Sequence, residues 1–133
     1  MADHKFEAGL YYTKTHEWVK IDGDTATVGI SDYAQDLLTD VVFVELPKVG
    51  KEVKQFSAAC VVESVKSVSD VYAPLSGTVS EVNSELEKAP ELVNQDAFGK
   101  GWIFKLTGFN PAEISNLLDV EAYKAFAASE SHC

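Results

Sequence analysis

Arginine is absent from this chain of 133 residues: all 11 basic side chains are lysine, set against 21 acids for a net charge of −10. Nucleic-acid binding rests on basic surface and often on bidentate arginine, so that class of function is disfavoured. Cysteine is scarce as well, with two residues, Cys60 and Cys133, and no CxxC spacing. That excludes a disulfide scaffold and suits a reducing compartment, with Cys60 reading as core and Cys133 as a frayed tail. No apolar run approaches the length of a membrane span. The start, "MADHKFEAG", has no apolar stretch behind a basic head, and its acids Asp3 and Glu7 do not suit a transit peptide. Chemistry-bearing motifs are wanting too. His16 in "HEW" lacks the second histidine of HExxH, and His4 and His132 lie near the ends. "FGKGW" lacks the rest of a phosphate loop, and no GxSxG or triad pattern occurs. Neither catalytic residues nor metal ligands are expected.

What is present is an ordinary globular balance, 46% hydrophobic and 24% charged. The pattern is mostly strand. "EWVKIDGDTATVGI" alternates on both sides of "DGD" and predicts a hairpin. "SDYAQDLL" predicts a short helix capped by Asp32, with Gln35 as reciprocal partner. "VVFVELP" predicts a buried strand ended by Pro47. Turns are expected at Gly50 and Gly77, and "GWIFKLTGF" predicts a late strand. Asn110, Pro111 and Glu113 spell a capping box, with Phe109 and Ile114 as a hydrophobic staple. A last helix should follow the cap Asp119. The valine-rich echo of "VGKEV" in "LSGTVSEV" suits a sheet of two similar halves. The expectation is one domain over 1–133, with a strand core over about 15–108 and a helical tail over about 110–129.

The segment "VVESVKSVSD" at 61–70 brings two β-branched runs together at a single lysine, Lys66, with no glycine, proline or asparagine between them. A type I turn accepts most residues at its corners, so a hairpin tip is compatible. A catalytic amine must lose its proton near neutral pH, usually through burial. Acids such as Glu63 and Asp70 favour the charged form instead. An exposed lysine on a rigid tip is better suited to acylation by another enzyme, which would turn it into a tether. Trp18 and Trp102 read as core aromatics.

The run of segments "YTKTHEWVKIDGDTATVGISDYAQDLL", "VVFVELPKVG", "VVESVKSVSDVYAPLSGTVSEVN" and "GWIFKL" resembles the H-protein family of the glycine cleavage system. The "ESVKSVSD" stretch matches that family's lipoylation motif. The resemblance implies a mainly β fold, a lipoyl-type barrel-sandwich hybrid of antiparallel strands with a short early helix and C-terminal helices. It implies a non-catalytic carrier with lipoic acid attached covalently to Lys66. It also implies Glu17 and Asp70 as contacts of the loaded arm, each otherwise an ordinary solvated acid. The implied work is shuttling an aminomethyl group from the pyridoxal-phosphate glycine decarboxylase, the P-protein, to the aminomethyltransferase, the T-protein. Dihydrolipoyl dehydrogenase, the L-protein, then reoxidises the arm, and a lipoyl ligase or transferase attaches it. The carrier is expected to be a monomer, cytoplasmic if bacterial and in the mitochondrial matrix if eukaryotic. Related architectures leave two other readings, a lipoyl relay or adaptor and a lipoyl domain serving a 2-oxo acid dehydrogenase. Two positions depart from the family's common pattern: Thr39, where glycine is frequent, and Lys100, where an acid is frequent.

Overall fold

Antiparallel ladders organise the chain in the computed structural model, which describes residues 6, 7 and 9–130. One sheet has six strands in the order β1 (Tyr11–Tyr12), β2 (Glu17–Asp22), β3 (Thr25–Ile30), β9 (Phe104–Thr107), β8 (Gly77–Val82) and β5 (Glu52–Val53). The other has three, with β6 (Ala58–Ser64) between β4 (Val41–Glu45) and β7 (Val68–Tyr72). The expected hairpin forms between β2 and β3, in register from Glu17↔Ile30 to Asp22↔Thr25. Gly23 turns it at φ +60, a conformation open to glycine. The two valine-rich segments of the sequence echo, β5 and β8, pair directly with each other.

The main core lies between the sheets, where Val28, Val44, Val62, Leu75, Phe104 and Leu106 are almost fully buried. Alternation along the strands puts all of these but Leu75, which lies between β7 and β8, on the inner faces. A second cluster joins Tyr12, Trp18 and Tyr123. There Tyr123 of helix α4 (Val120–Glu130) stacks on Tyr12 with ring centroids 4.4 Å apart. Asp119 caps this helix as expected, its carboxylate accepting from Ala122 N at 2.8 Å. Trp18 donates its indole N–H to Ala97 O at 2.9 Å, and its ring fills the space a Cβ at Gly29 would occupy.

Several local expectations are corrected. Helix α1 (Asp32–Leu38) is capped by Ser31, whose hydroxyl accepts from Ala34 N at 3.1 Å, and not by Asp32. Asp32 is the first helical residue and accepts from Gln35 Nε2. Strand β4 is buried only at Val41 and Val44, while Val42 and Phe43 are exposed beside a bulge. Gly77 does not turn the chain. It opens β8 where a Cβ would meet Thr107 O at 2.8 Å. The Pro111–Asn116 segment is a 3-10 helix capped by Asn110. Glu113 closes no capping box, because its carboxylate accepts from Ser76 N and Ser76 Oγ, both at 2.8 Å. Two short helices, α2 (Glu85–Lys88) and α3 (Leu92–Gln95), fill a stretch the pattern left unassigned. Cys133, His4 and His132 lie outside the described residues.

Thr39 ends α1 at φ 64, ψ −142, a region that favours glycine. It is held there by Asn94 of α3, whose side chain donates to Thr39 O at 2.6 Å and accepts from Val41 N at 2.8 Å. Relief of about 1–3 kcal/mol of strain outweighs the roughly 0.4–1 kcal/mol entropic cost of glycine in the unfolded chain. Thr39→Gly should therefore raise the unfolding free energy by about 1 kcal/mol in urea titration. An equal or lower midpoint would show that the turn carries no strain.

Candidate functional site

The tip of the β6–β7 hairpin is three residues, Val65, Lys66 and Ser67, between strands paired from Ala58↔Tyr72 to Glu63↔Val68. Ser64 explains the missing glycine. Its backbone N–H donates to Ser67 O at 2.8 Å, and its hydroxyl oxygen accepts from Ser67 N at 3.1 Å and Lys66 N at 3.3 Å. A short polar side chain thus closes the bend without any residue at positive φ there. Val65 N also donates to Asp40 O at 3.0 Å, tying the tip to the turn after α1. Lys66 is exposed and forms no ion pair among the described residues.

Glu17 lies at the start of β2 and is only 1% exposed, so the alternative reading of an ordinary solvated acid does not hold for it. The turn before it supplies its partners. Oε1 accepts from the hydroxyls of Thr13 and Thr15. Oε2 accepts from Tyr72 N at 3.0 Å. Strand β7 is the edge of the three-stranded sheet, so this bond joins the two sheets through one carboxylate. Burial pushes the Glu17 carboxyl up to about 7, against the opposing pull of its hydrogen bonds.

Asp70 is exposed on β7, four residues beyond Lys66, on the order of 13 Å along an extended strand. It shares with Glu17 and Thr15 a cleft of about 430 Å³ whose apolar lining includes Ile30, Leu37 and Val62. The fold therefore gathers the two acids singled out in the sequence along one side of the hairpin that carries Lys66. Trp18 is core, as expected, and Trp102 is half-buried with Lys105 Nζ 5.0 Å from its ring centroid. Cys60 is buried, and that burial pushes its thiol up to about 12, away from any thiolate chemistry. Sequence reading did not mark Thr13, Thr15 or Tyr72, the donors that hold Glu17. Nor did it mark the chain from His16 Nδ1 to Tyr123 Oη (2.9 Å) and on to Ser31 Oγ (2.6 Å), which pins α4 beside the cleft. The alternating Thr13 and Thr15 before an acid were the available signal. No group of residues able to hold a metal occurs among the described residues.

A family model described as Glycine cleavage H-protein matches residues 10–130. This chain belongs to the glycine cleavage H-protein family. It is 60% identical over 119 residues to a Glycine cleavage system H protein of Symbiobacterium thermophilum, covering 90% of this chain and 93% of the relative. It is 64% identical over 115 residues to one of Xanthobacter autotrophicus, covering 86% and 92%. A crystal structure of a glycine cleavage system H protein from Mycobacterium marinum superposes with a TM-score of 0.81 at 33% identity, covering 94% of this chain and 98% of that one. The fold is thus the lipoyl-type barrel sandwich that the resemblance implied, mainly antiparallel β with a few helices.

The raised Glu17 carboxyl makes a pH prediction. The folded value of about 7 stands above the unfolded 4.5, so the folded protein holds the proton more tightly. Stability therefore falls as pH rises from 4.5 through 7, by about 3 kcal/mol in all. Glu17→Gln removes this slope. In denaturant titrations the variant should gain on the parent between pH 5 and pH 8 by a similar amount. Parallel pH profiles for the two proteins would contradict the burial account.

Proposed function

We propose that this chain is the lipoyl carrier of a glycine cleavage system, with lipoic acid in amide linkage to Lys66. In this role it receives the aminomethyl group of glycine from the P-protein and delivers it to the T-protein, and the L-protein restores the arm. It is a carrier subunit and not itself a catalyst. The observation that carries the reading is one exposed lysine on a rigid tip, with two carboxylates gathered in a cleft along the same hairpin.

Once attached, the lipoyl group supplies a disulfide that can open to a dithiol while taking up a one-carbon unit. The remaining requirements fall to the chain's own residues, and they fit. Lys66 is exposed and needs no rearrangement to be acylated. Ser64 and the Asp40 contact fix the base of the arm, so the attaching enzyme meets a preformed tip. The apolar wall at Ile30, Leu37 and Val62 offers cover from water, and Glu17 with Asp70 offers acceptors for a cationic amine at its end. Holding cargo on a tether presents it to each partner at roughly millimolar effective concentration. The excess of acids suits brief, electrostatically steered docking on basic partners. The relatives reported above are all bacterial, which favours the bacterial cytoplasm of the two expected compartments.

Peptide mass mapping after incubation with a lipoyl ligase, lipoate and ATP should place the single modification on Lys66. Modification persisting in Lys66→Arg would remove the tether from this position. A second outcome concerns the cleft. An exposed ion pair contributes about 1 kcal/mol or less, a factor of roughly five. Spontaneous ammonia release from the loaded protein without T-protein should therefore speed up several-fold at most in Asp70→Ala, whose carboxylate is exposed, and further in the double variant with Glu17→Gln, which keeps the buried site filled. If the double variant keeps its cargo as long as the parent does, the two carboxylates do not guard it.

A further inference from the structure

His16 precedes the buried carboxylate, and its backbone stands at φ +73, a left-handed conformation that few side chains adopt. That step closes the turn on Glu17. His16 N donates to Thr13 O at 3.1 Å, Thr13 N donates to Glu17 O at 2.9 Å, and Glu17 N donates to Thr13 Oγ1 at 3.1 Å. On an extended path, residues 15 and 17 would stand roughly 7 Å apart along the strand. In the turn the hydroxyls of Thr13 and Thr15 both reach Glu17 Oε1. The other oxygen is aimed across to β7, where it accepts from Tyr72 N at 3.0 Å.

The His16 ring is anchored from far along the chain. Its Nδ1 is hydrogen-bonded to Tyr123 Oη at 2.9 Å, across 107 residues. The ring also meets Tyr33 edge-on, with centroids 4.8 Å apart, and Phe126 at 5.8 Å. Tyr123 is fully buried, stacked on Tyr12 and bonded to Ser31 Oγ at 2.6 Å, so the anchor is itself fixed. His16 lines the same cleft as Glu17 and Asp70. An aromatic cluster built only for packing needs no left-handed histidine directly before the one buried acid among the described residues. We propose that His16 is a positioning residue: anchored by Tyr123 of α4, it holds the turn that aims the Glu17 carboxylate across to β7 and along the cleft. The last helix thereby sets the geometry of a site far from it in sequence. The consequence for cargo rests on the carrier reading, and the positioning does not.

The test compares three variants of the whole chain. His16→Gly keeps the left-handed turn without strain and removes the bond to Tyr123. Tyr123→Phe removes the same bond and keeps the stacked ring. His16→Asn tolerates the turn, and its amide offers a donor or an acceptor near the position of Nδ1. The readout is amide hydrogen exchange at Tyr72, whose N–H donates to Glu17. The references are Ile103 and Val79, whose N–H groups donate to Val28 O and Lys51 O, both at 2.8 Å. Losing one hydrogen bond should speed Tyr72 exchange about fivefold over the references in His16→Gly and Tyr123→Phe, and His16→Asn should stay within about twofold of the parent. In the aminomethyl-loaded protein without T-protein, the first two variants should also lose ammonia several-fold faster, and His16→Asn should not. Tyr72 exchange at the parent's rate in His16→Gly would overturn the proposal. So would equal acceleration at all three amides, which marks a general loss of stability. His16→Asn exchanging as fast as His16→Gly would overturn the hydrogen bond as the means of positioning. The exchange measurement is made on the unmodified chain, so it decides the positioning whether or not the carrier reading stands.

Discussion

One buried carboxylate ties the two sheets of this fold together. Glu17 sits in β2 of the large sheet and accepts a backbone N–H from β7 of the small one. Removing a charged carboxylate from water is costly. The protein offsets the cost with two threonine hydroxyls and one backbone donor, and still the carboxyl stays half-protonated near neutral pH. A site built only for stability would place an amide or an apolar residue there. A carboxylate kept near its balance point responds strongly to a nearby cation. An ammonium arriving in the cleft would favour the charged form, and the charged form would hold the ammonium, which is reciprocal coupling between cargo and proton.

The tip depends on a second, longer chain of backbone contacts. Asn94 fixes the turn after α1, Thr39 is held there in a glycine-like conformation, and Asp40 receives the hairpin tip. Rigidity at the Lys66 tip thus comes from α3, 28 residues further along the chain than Lys66 at its nearest clasp, Asn94. The arrangement separates two demands. In the proposed carrier role an arm would have to move, and the point from which it swings would have to stay fixed.

Where local pattern and local chemistry agree, the fold was legible in the sequence. The "DGD" hairpin, the cap at Asp119 and the lysine between two valine-rich strands all follow from spacing alone. Failures arose where tertiary contacts overrode local rules. Ser31 and Asp32 are adjacent and equally good caps, and Ser31 wins while also bonding Tyr123 of a distant helix. Glu113 is drawn away from its own helix by Ser76. Helices α2 and α3 are single turns without side-chain caps, too short to show a period. Gly77 looked like a turn residue because nothing local reveals the approach of Thr107 O. At the candidate site, the exposed hairpin tip at Lys66 was legible from its setting, and Glu17 and Asp70 were singled out only from family resemblance. The burial of Glu17 was not legible, because an acid next to tryptophan reads as the polar half of an alternation.

The most direct test is a carboxyl carbon NMR titration of Glu17 in the unmodified protein and in the aminomethyl-loaded one. The account predicts a value near 7 without cargo and a clear fall, by at least one pH unit, once the cationic amine is in the cleft. Equal values in the two states, or an ordinary carboxylate value in the unmodified protein, would contradict it.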